Sequence, residues 1–152
     1  MDVTASLSAA VAAEDLFAVV ADLSTYPMWL DVVRSVERAP AGPEESADDT
    51  PAWWVVLQAQ LGPLRRSKRL RMVRTSLDPA GVARFERREL DGRSHSPWVL
   101  GVDVGADGVS GAQVVMRLHY GGSLWMPLLD RLLAEEIERS RPRLVALVGG
   151  AA

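Results

Sequence analysis

Three charged side chains, Arg74, Arg87 and Glu89, are the best candidates for chemistry in this sequence. In the strand register estimated from the turns, they share a sheet face with apolar residues, where an unpaired charge is costly. Each of them must therefore be paired, hydrated or bound to a ligand. The guanidinium of Arg87 could present its planar fork to a carboxylate or an enolate, with Glu89 orienting it. This group predicts a site that binds or polarises an anionic or carbonyl-bearing molecule.

The sequence leaves two other interpretations of these charges open. They could form an ion pair at the end of the sheet that reaches solvent. A register slip of one residue would also turn all three side chains to the outer face. Trp53, which the estimated register sets opposite Arg74, could stack on its guanidinium.

Aromatic residues form a second candidate group. Tyr26 and Trp29 follow a helical segment and could gate a cavity together with Trp98 and Tyr120. Packing in the core is the simpler interpretation, because large aromatic side chains are commonly buried.

Several other kinds of site are disfavoured. The sequence has no cysteine, which excludes disulfides, thiol nucleophiles and thiolate metal sites. Its two histidines, His95 and His119, lack a spaced pair of carboxylates, so no metal is predicted. There is no nucleophile-elbow pattern, and the glycines at residues 105–111 lack the strand-to-helix context of a phosphate loop. No catalytic residue is identified, and no cofactor is predicted.

The charge distribution gives no support for nucleic acid as a partner. The 152 residues include 17 Lys and Arg against 20 Asp and Glu, a formal net charge of -3. The basic run at residues 65–74 alternates between two faces of a strand, so we interpret it as a solvated sheet edge. The chain has no signal core and no apolar stretch long enough for a transmembrane segment, which predicts a cytoplasmic protein.

Hydrophobic periodicity predicts the elements that must position these residues. Residues 2–10 alternate as in a strand with one wet face, and residues 12–23 have helical spacing. Pro27 predicts a second short helix around residues 29–32. The acidic, proline-containing segment 41–51 is predicted to be a mobile surface loop. Further strands are expected at residues 33–39, 53–61, 66–77, 82–90, 95–104 and 112–120.

The turns allow the strand registers to be estimated. We take Leu61 as opposite Arg66 and Leu77 as opposite Val82, and directly opposed residues share a face. One face then gathers Trp53, Val55, Leu57, Ala59, Leu70, Met72, Arg74, Phe85, Arg87 and Glu89. The last hairpin should place Trp98, Leu100, Val102, Val114, Met116, Leu118 and Tyr120 on one apolar face.

The last predicted element is a long amphipathic helix at residues 127–148. Its leucines, including Leu129 and Leu133, should cover the concave face of the sheet. Pro142 is expected to bend this helix, because it cannot donate the hydrogen bond to residue 138. A curved sheet closed by one helix leaves space, so we expect a pocket of roughly a few hundred Å³.

This order of elements, with Asp22 and the sequence Tyr-Pro-Met-Trp at residues 26–29, resembles the START-like superfamily, also called SRPBCC. The resemblance is to its polyketide cyclase/dehydrase and lipid-transport branch, and it covers nearly the whole chain. It implies one domain over residues 1–152 with an α+β helix-grip fold: a seven-stranded antiparallel sheet wrapped around a long C-terminal helix, with two short helices after the first strand. Members of the superfamily bind lipids, sterols, hormones or quinones, or cyclise aromatic polyketides, and they share no universal catalytic residue.

We therefore predict a protein that binds or transports a small hydrophobic or amphipathic ligand, such as a lipid, a polyketide-like aromatic or an isoprenoid, in a central cavity. Two alternatives stay open: a polyketide cyclase or dehydratase that uses Arg87 and Glu89, and a protein-interaction module without a ligand. Both a monomer and a homodimer are compatible with the sequence. The predicted ligand-binding residues are Tyr26, Trp29, Trp53, Met72, Arg74, Phe85, Arg87, Glu89, Trp98, Met116, Leu118, Tyr120, Leu129 and Leu133.

Overall fold

The computed structural model describes the backbone of residues 2–121 and 126–150, and their side chains except those of residues 61, 126–133 and 150. Seven antiparallel strands form one sheet in the order β1-β7-β6-β5-β4-β3-β2. The elements are β1 (Asp2–Ala9), α1 (Ala13–Val20), a 3₁₀ helix (Leu23–Met28), β2 (Val33–Ala39), β3 (Ala52–Leu61), β4 (Leu64–Asp78), β5 (Val82–Arg87), β6 (Trp98–Asp107), β7 (Gly111–Tyr120) and α2 (Met126–Gly150). This is the predicted α+β architecture, with two short helices after the first strand and a long helix after the last.

The apolar face of the sheet packs beneath α2. Ile137, Leu144 and Val148 of α2 belong to the same buried cluster as Val3 and Leu7 of β1. Their spacing along α2 is that of one helix face, so one side of the helix seals the concave side of the sheet. The helix continues through Pro142. A bend at this proline remains a prediction.

The second short helix starts earlier than predicted. It spans Leu23–Met28 and contains Pro27, whereas the sequence suggested residues 29–32. Asp22 is its N-cap, and the Asp22 carboxylate accepts a hydrogen bond from the backbone N–H of Ser24 at 3.0 Å. Because this side chain satisfies a free N–H at the first turn, the helix begins one residue after it.

The last hairpin has the predicted apolar face. Trp98 pairs with Tyr120 and Leu100 with Leu118. In an antiparallel pair directly opposed residues share a face, so the apolar side of β6 and β7 forms as expected.

Two hairpins depart from the predicted register without changing the predicted faces at the centre of the sheet. At the turn between β4 and β5, Asp78 lies opposite Val82, where Leu77 was predicted. A bulge in the pairing of these strands restores the predicted register farther from the turn, where Met72 lies opposite Arg87. Between β3 and β4 the pairing differs by two residues, so that Trp53 lies opposite Met72. A shift of two residues keeps every side chain on its face, because strand alternation has a period of two.

The loop between β2 and β3 is anchored by a buried ion pair, which the prediction of a mobile loop missed. Arg71 has a fully buried side chain, and its guanidinium donates to the two carboxylate oxygens of Glu45 at 2.6 and 3.0 Å. It also donates to the carbonyl oxygens of Pro40 and Arg88 at 2.7 and 2.9 Å. The hydrogen bonds from Arg71 lower the pKa of Glu45 below its usual range. This cluster fastens the loop to the outer face of the sheet.

Among the described residues, the structure contains no helix with the length and apolar character needed to span a bilayer.

Candidate ligand-binding cavity

A cavity of about 110 Å³ lies between the concave face of the sheet, the 3₁₀ helix and α2. Tyr26 is its one described wall residue that carries a hydroxyl, and this hydroxyl donates to the carbonyl oxygen of Val20 at 2.8 Å. Burial, reinforced by the charge of Asp22, raises the pKa of Tyr26, so its hydroxyl stays protonated. The described wall therefore offers almost only apolar surface. It consists of Val3, Ala5, Leu23, Tyr26, Leu30, Val32, Val33, Val55, Leu57, Leu70, Met72, Trp98, Leu100, Met116, Leu118 and Ile137.

The cavity is smaller than the few hundred Å³ expected, because aromatic side chains fill part of the concave face. The ring centroids of Trp53 and Phe85 lie 6.0 Å apart, and those of Trp98 and Tyr120 lie 5.3 Å apart. All four side chains are buried. Trp98 is the member of this group that reaches the cavity wall.

The predicted ligand-binding residues divide into four groups, of which the charged residues Arg74, Arg87 and Glu89 are described separately below. Tyr26, Met72, Trp98, Met116 and Leu118 line the cavity. The residues buried in the core behind the wall are Trp29, Trp53, Phe85 and Tyr120. Leu129 and Leu133 lie outside the residues whose side chains are described.

The two aromatic residues at the helical corner pack on each other. The ring centroids of Tyr26 and Trp29 lie 4.8 Å apart, and both side chains are buried. Trp29 is fully buried, which agrees with the packing interpretation rather than with a gate for this residue.

Arg74 fastens helix α1 to the sheet and does not line the cavity. Its Nη1 atom donates to the carbonyl oxygen of Ala21, at the C-terminal end of α1, at 2.9 Å. A cation at this end of a helix is stabilising, because the last carbonyl oxygens carry partial negative charge. The stacking partner predicted for it, Trp53, instead has the guanidinium of Arg38 at 5.6 Å from its ring centroid.

Arg87 and Glu89 form a largely buried pair beside the cavity, and neither residue lines it. The Nε atom of Arg87 lies 3.5 Å from the Oε1 atom of Glu89. Arg87 also donates to the carbonyl oxygen of Ser96 at 3.3 Å, and Glu89 accepts from the backbone N–H of Arg71 at 2.9 Å. These contacts tie the segment after β5 to β4. They place the pair inward, and no described group accepts a hydrogen bond from the Arg87 Nε atom.

Sequence reasoning missed one charged residue of the concave face, Lys68. It precedes Leu70 and Met72 by two and four positions in β4, so the same alternation that marked those residues also marks Lys68. Its Nζ atom lies 5.9 Å from the ring centroid of Trp98. The signal was present in the sequence, but Lys68 was assigned to the basic run as a solvated charge.

The described side chains offer no group of three or more His, Cys, Asp or Glu that could hold a metal ion. The carboxylate of Glu89, which lies beside the cavity, already contacts Arg87 and the backbone N–H of Arg71. The arrangement is suited to enclosing an apolar molecule.

The sequence matches no family model and no curated protein. The structure does match solved structures over almost its whole length. The protein TTHA0849 from Thermus thermophilus has a TM-score of 0.74 at 20% identity, covering 100% of this chain and 99% of that chain. A START superfamily protein from Mycobacterium smegmatis has a TM-score of 0.69 at 14% identity, covering 99% of each chain.

An aromatase/cyclase is also among the similar structures. The Zhui aromatase/cyclase from Streptomyces sp. R1128 has a TM-score of 0.60 at 16% identity, covering 99% of this chain and 92% of that chain. At such low identities these likenesses establish the fold alone. The protein has the START-like, helix-grip fold, as its sequence predicted.

Proposed function

We propose that this protein binds a small hydrophobic or amphipathic molecule in the cavity beneath α2. The observation that supports the proposal most directly is the composition of the described wall, which is apolar apart from the Tyr26 hydroxyl and the Trp98 indole N–H. An apolar wall of this kind gains free energy when it exchanges water for an apolar molecule. The solved proteins of the same fold include a START superfamily protein, which is consistent with such a role.

A cyclase or dehydratase is the second candidate, because aromatase/cyclases are among the structures of the same fold. In that role Arg87 and Glu89 would have to reach the substrate within about 3 Å. Both lie behind the cavity wall, and both already bind protein groups. The contacts favour a positioning role for this pair, so binding without turnover is the function that the geometry supports better.

Filling the cavity should abolish binding without unfolding the protein. Ala5 of β1 lines the cavity, and Ala5→Leu would place three further carbon atoms in the empty space. We expect benzyl alcohol, a neutral one-ring probe small enough for the cavity, to raise the melting temperature of the wild type by mass action. The Ala5→Leu variant should lose most of this shift while keeping a cooperative transition, because the added volume enters a void rather than a packed region. Differential scanning calorimetry with and without the probe makes the measurement.

Thr4→Leu is the matched control, because Thr4 lies next to Ala5 in β1 and is exposed on the other face. This variant should respond to the probe as the wild type does. Equal responses of the two variants would place the binding site outside the cavity and contradict the proposal. Native mass spectrometry of the purified protein would then identify any co-purifying molecule directly.

A further inference from the structure

Lys68 brings a positive charge to the edge of the cavity. In β4 it lies opposite Leu57 of β3, and Leu70 is its next neighbour on the same face. Both leucines line the cavity, as does Trp98, whose ring centroid lies 5.9 Å from the Lys68 Nζ atom. The lysine is not itself a wall residue. Its ammonium group therefore lies beside the cavity, next to three of the residues that line the cavity.

The Lys68 ammonium is not neutralised by the described part of the protein. Among the described side chains, no carboxylate lies within ion-pair distance of the Lys68 Nζ atom. The carboxylate of Glu89 interacts electrostatically with Lys68, but its direct contacts are with Arg87 and the backbone N–H of Arg71. Partial burial, followed by the charge of Arg87, lowers the pKa of Lys68 below its usual range. The single carboxylate of Glu89 thus lies near two cations, Lys68 and Arg87. The described side chains therefore leave excess positive charge at the edge of the cavity.

We propose that the molecule bound in the cavity is an organic acid, whose apolar body occupies the cavity and whose carboxylate binds the ammonium group of Lys68. This inference rests on the proposed function and adds a chemical class to it. A carboxylate would satisfy the uncompensated charge of Lys68 at the edge of the cavity. Apolar contact with the wall supplies affinity, and the charged contact selects acids over neutral molecules of the same shape.

Two probes of equal shape separate these contributions. Benzoate carries a carboxylate where benzyl alcohol carries a hydroxymethyl group. Isothermal titration calorimetry should show that the wild type binds the acid more tightly. Lys68→Met should weaken binding of benzoate by about 10- to 100-fold, the usual range for a hydrogen bond to a charged group, and should change binding of the alcohol little. Lys68→Arg retains the charge and should retain the preference for the acid.

Arg66→Met is the matched control for a general effect of charge. Arg66 lies on the same strand and face as Lys68, two residues nearer the turn, and is exposed. This variant should leave the affinity for both probes unchanged. Equal losses of benzoate binding in the Arg66 and Lys68 variants would show that the general positive charge of this surface, not a contact with Lys68, attracts the acid, and would overturn the assignment.

The outcomes distinguish this inference from the proposed function. Equal affinity of the wild type for the two probes would overturn the inference and leave the cavity as a binding site for neutral molecules. Binding of neither probe would contradict the proposed function, and the inference would fall with it. A carboxylic acid released from the native complex, with a preference for acids that depends on Lys68, is the expected result.

Discussion

A chain shortened to end at Tyr120 should lose its cooperative unfolding transition. Helix α2 contributes Ile137, Leu144 and Val148 to the buried core and covers the concave face of the sheet. Burying each such side chain stabilises a protein by about 1.5 to 3 kcal/mol, and the whole stability of a domain is about 5 to 15 kcal/mol. Without α2, the apolar face of the sheet would also be exposed to water. Circular dichroism during a urea titration makes the measurement.

Single substitutions in α2 provide the controls for this experiment. Leu144→Ala should lower the free energy of unfolding by about 2 to 5 kcal/mol and preserve a cooperative transition. Leu147→Ala makes the same change at a partly exposed position of the helix and should cost less. A shortened chain that still unfolds cooperatively at a similar urea concentration would contradict the role assigned to α2.

Arg71→Met should destabilise the protein by about 3 to 5 kcal/mol, the usual cost of breaking a buried ion pair. The substitution removes the donors to Glu45 and to the carbonyl oxygen of Pro40, both in the loop between β2 and β3, and to the carbonyl oxygen of Arg88, which follows β5. The midpoint of urea unfolding at constant slope measures the loss.

Arg69→Met is the matched control for Arg71→Met. Arg69 lies on the same outer face of β4, is exposed, and stacks on Trp54 with its guanidinium carbon 4.1 Å from the ring centroid. Its substitution should cost about 1 kcal/mol or less, the usual value of an exposed contact of this kind. Similar losses in the two variants would show that the buried pair adds no stability beyond that of a surface charge.

The same ion pair predicts how stability depends on pH. The pKa of Glu45 is lower in the folded than in the unfolded protein, where it is near its ordinary value of about 4.3. The stabilisation is therefore complete above the unfolded pKa and is lost as pH falls through the folded pKa. The difference in unfolding midpoint between wild type and Glu45→Gln should be constant above about pH 5 and should shrink in more acid solution. A difference that does not change with pH would contradict the assignment.

The alternation of apolar residues was sufficient to predict the faces of the sheet. Leu70, Met72 and Phe85 are buried on the concave face, as the sequence indicated. The prediction survived a register error of two residues between β3 and β4, because such an error returns each side chain to the same face. The predicted pairing of Met72 with Arg87 is also present, although the residues at the turn pair one position away from the prediction. A bulge in β4 absorbs this difference of one residue.

The roles of the polar residues were harder to predict, because a charged side chain looks the same in a sequence whether it is buried or solvated. Arg71 lies on the outer face, which the alternation marks as wet, yet the loop that holds Glu45 folds over it. Lys68 lies on the inner face and was interpreted as part of a basic surface run. Burial of either residue depends on segments distant in the chain, which local patterning does not report.

The sequence by itself determined the order of the elements and the apolar face of each strand, because these follow from periodicities of two and 3.6 residues along the chain. Its resemblance to the START-like superfamily implied the helix-grip fold. Only the tertiary structure decided the size of the cavity and the partners of its charged neighbours. The packing of Trp53 against Phe85 and of Trp98 against Tyr120 sets how much space remains. Glu89 contacts Arg71 and Arg87, and no described carboxylate forms an ion pair with the Lys68 ammonium. Such arrangements join residues far apart in sequence, so they arise only when the strands are assembled.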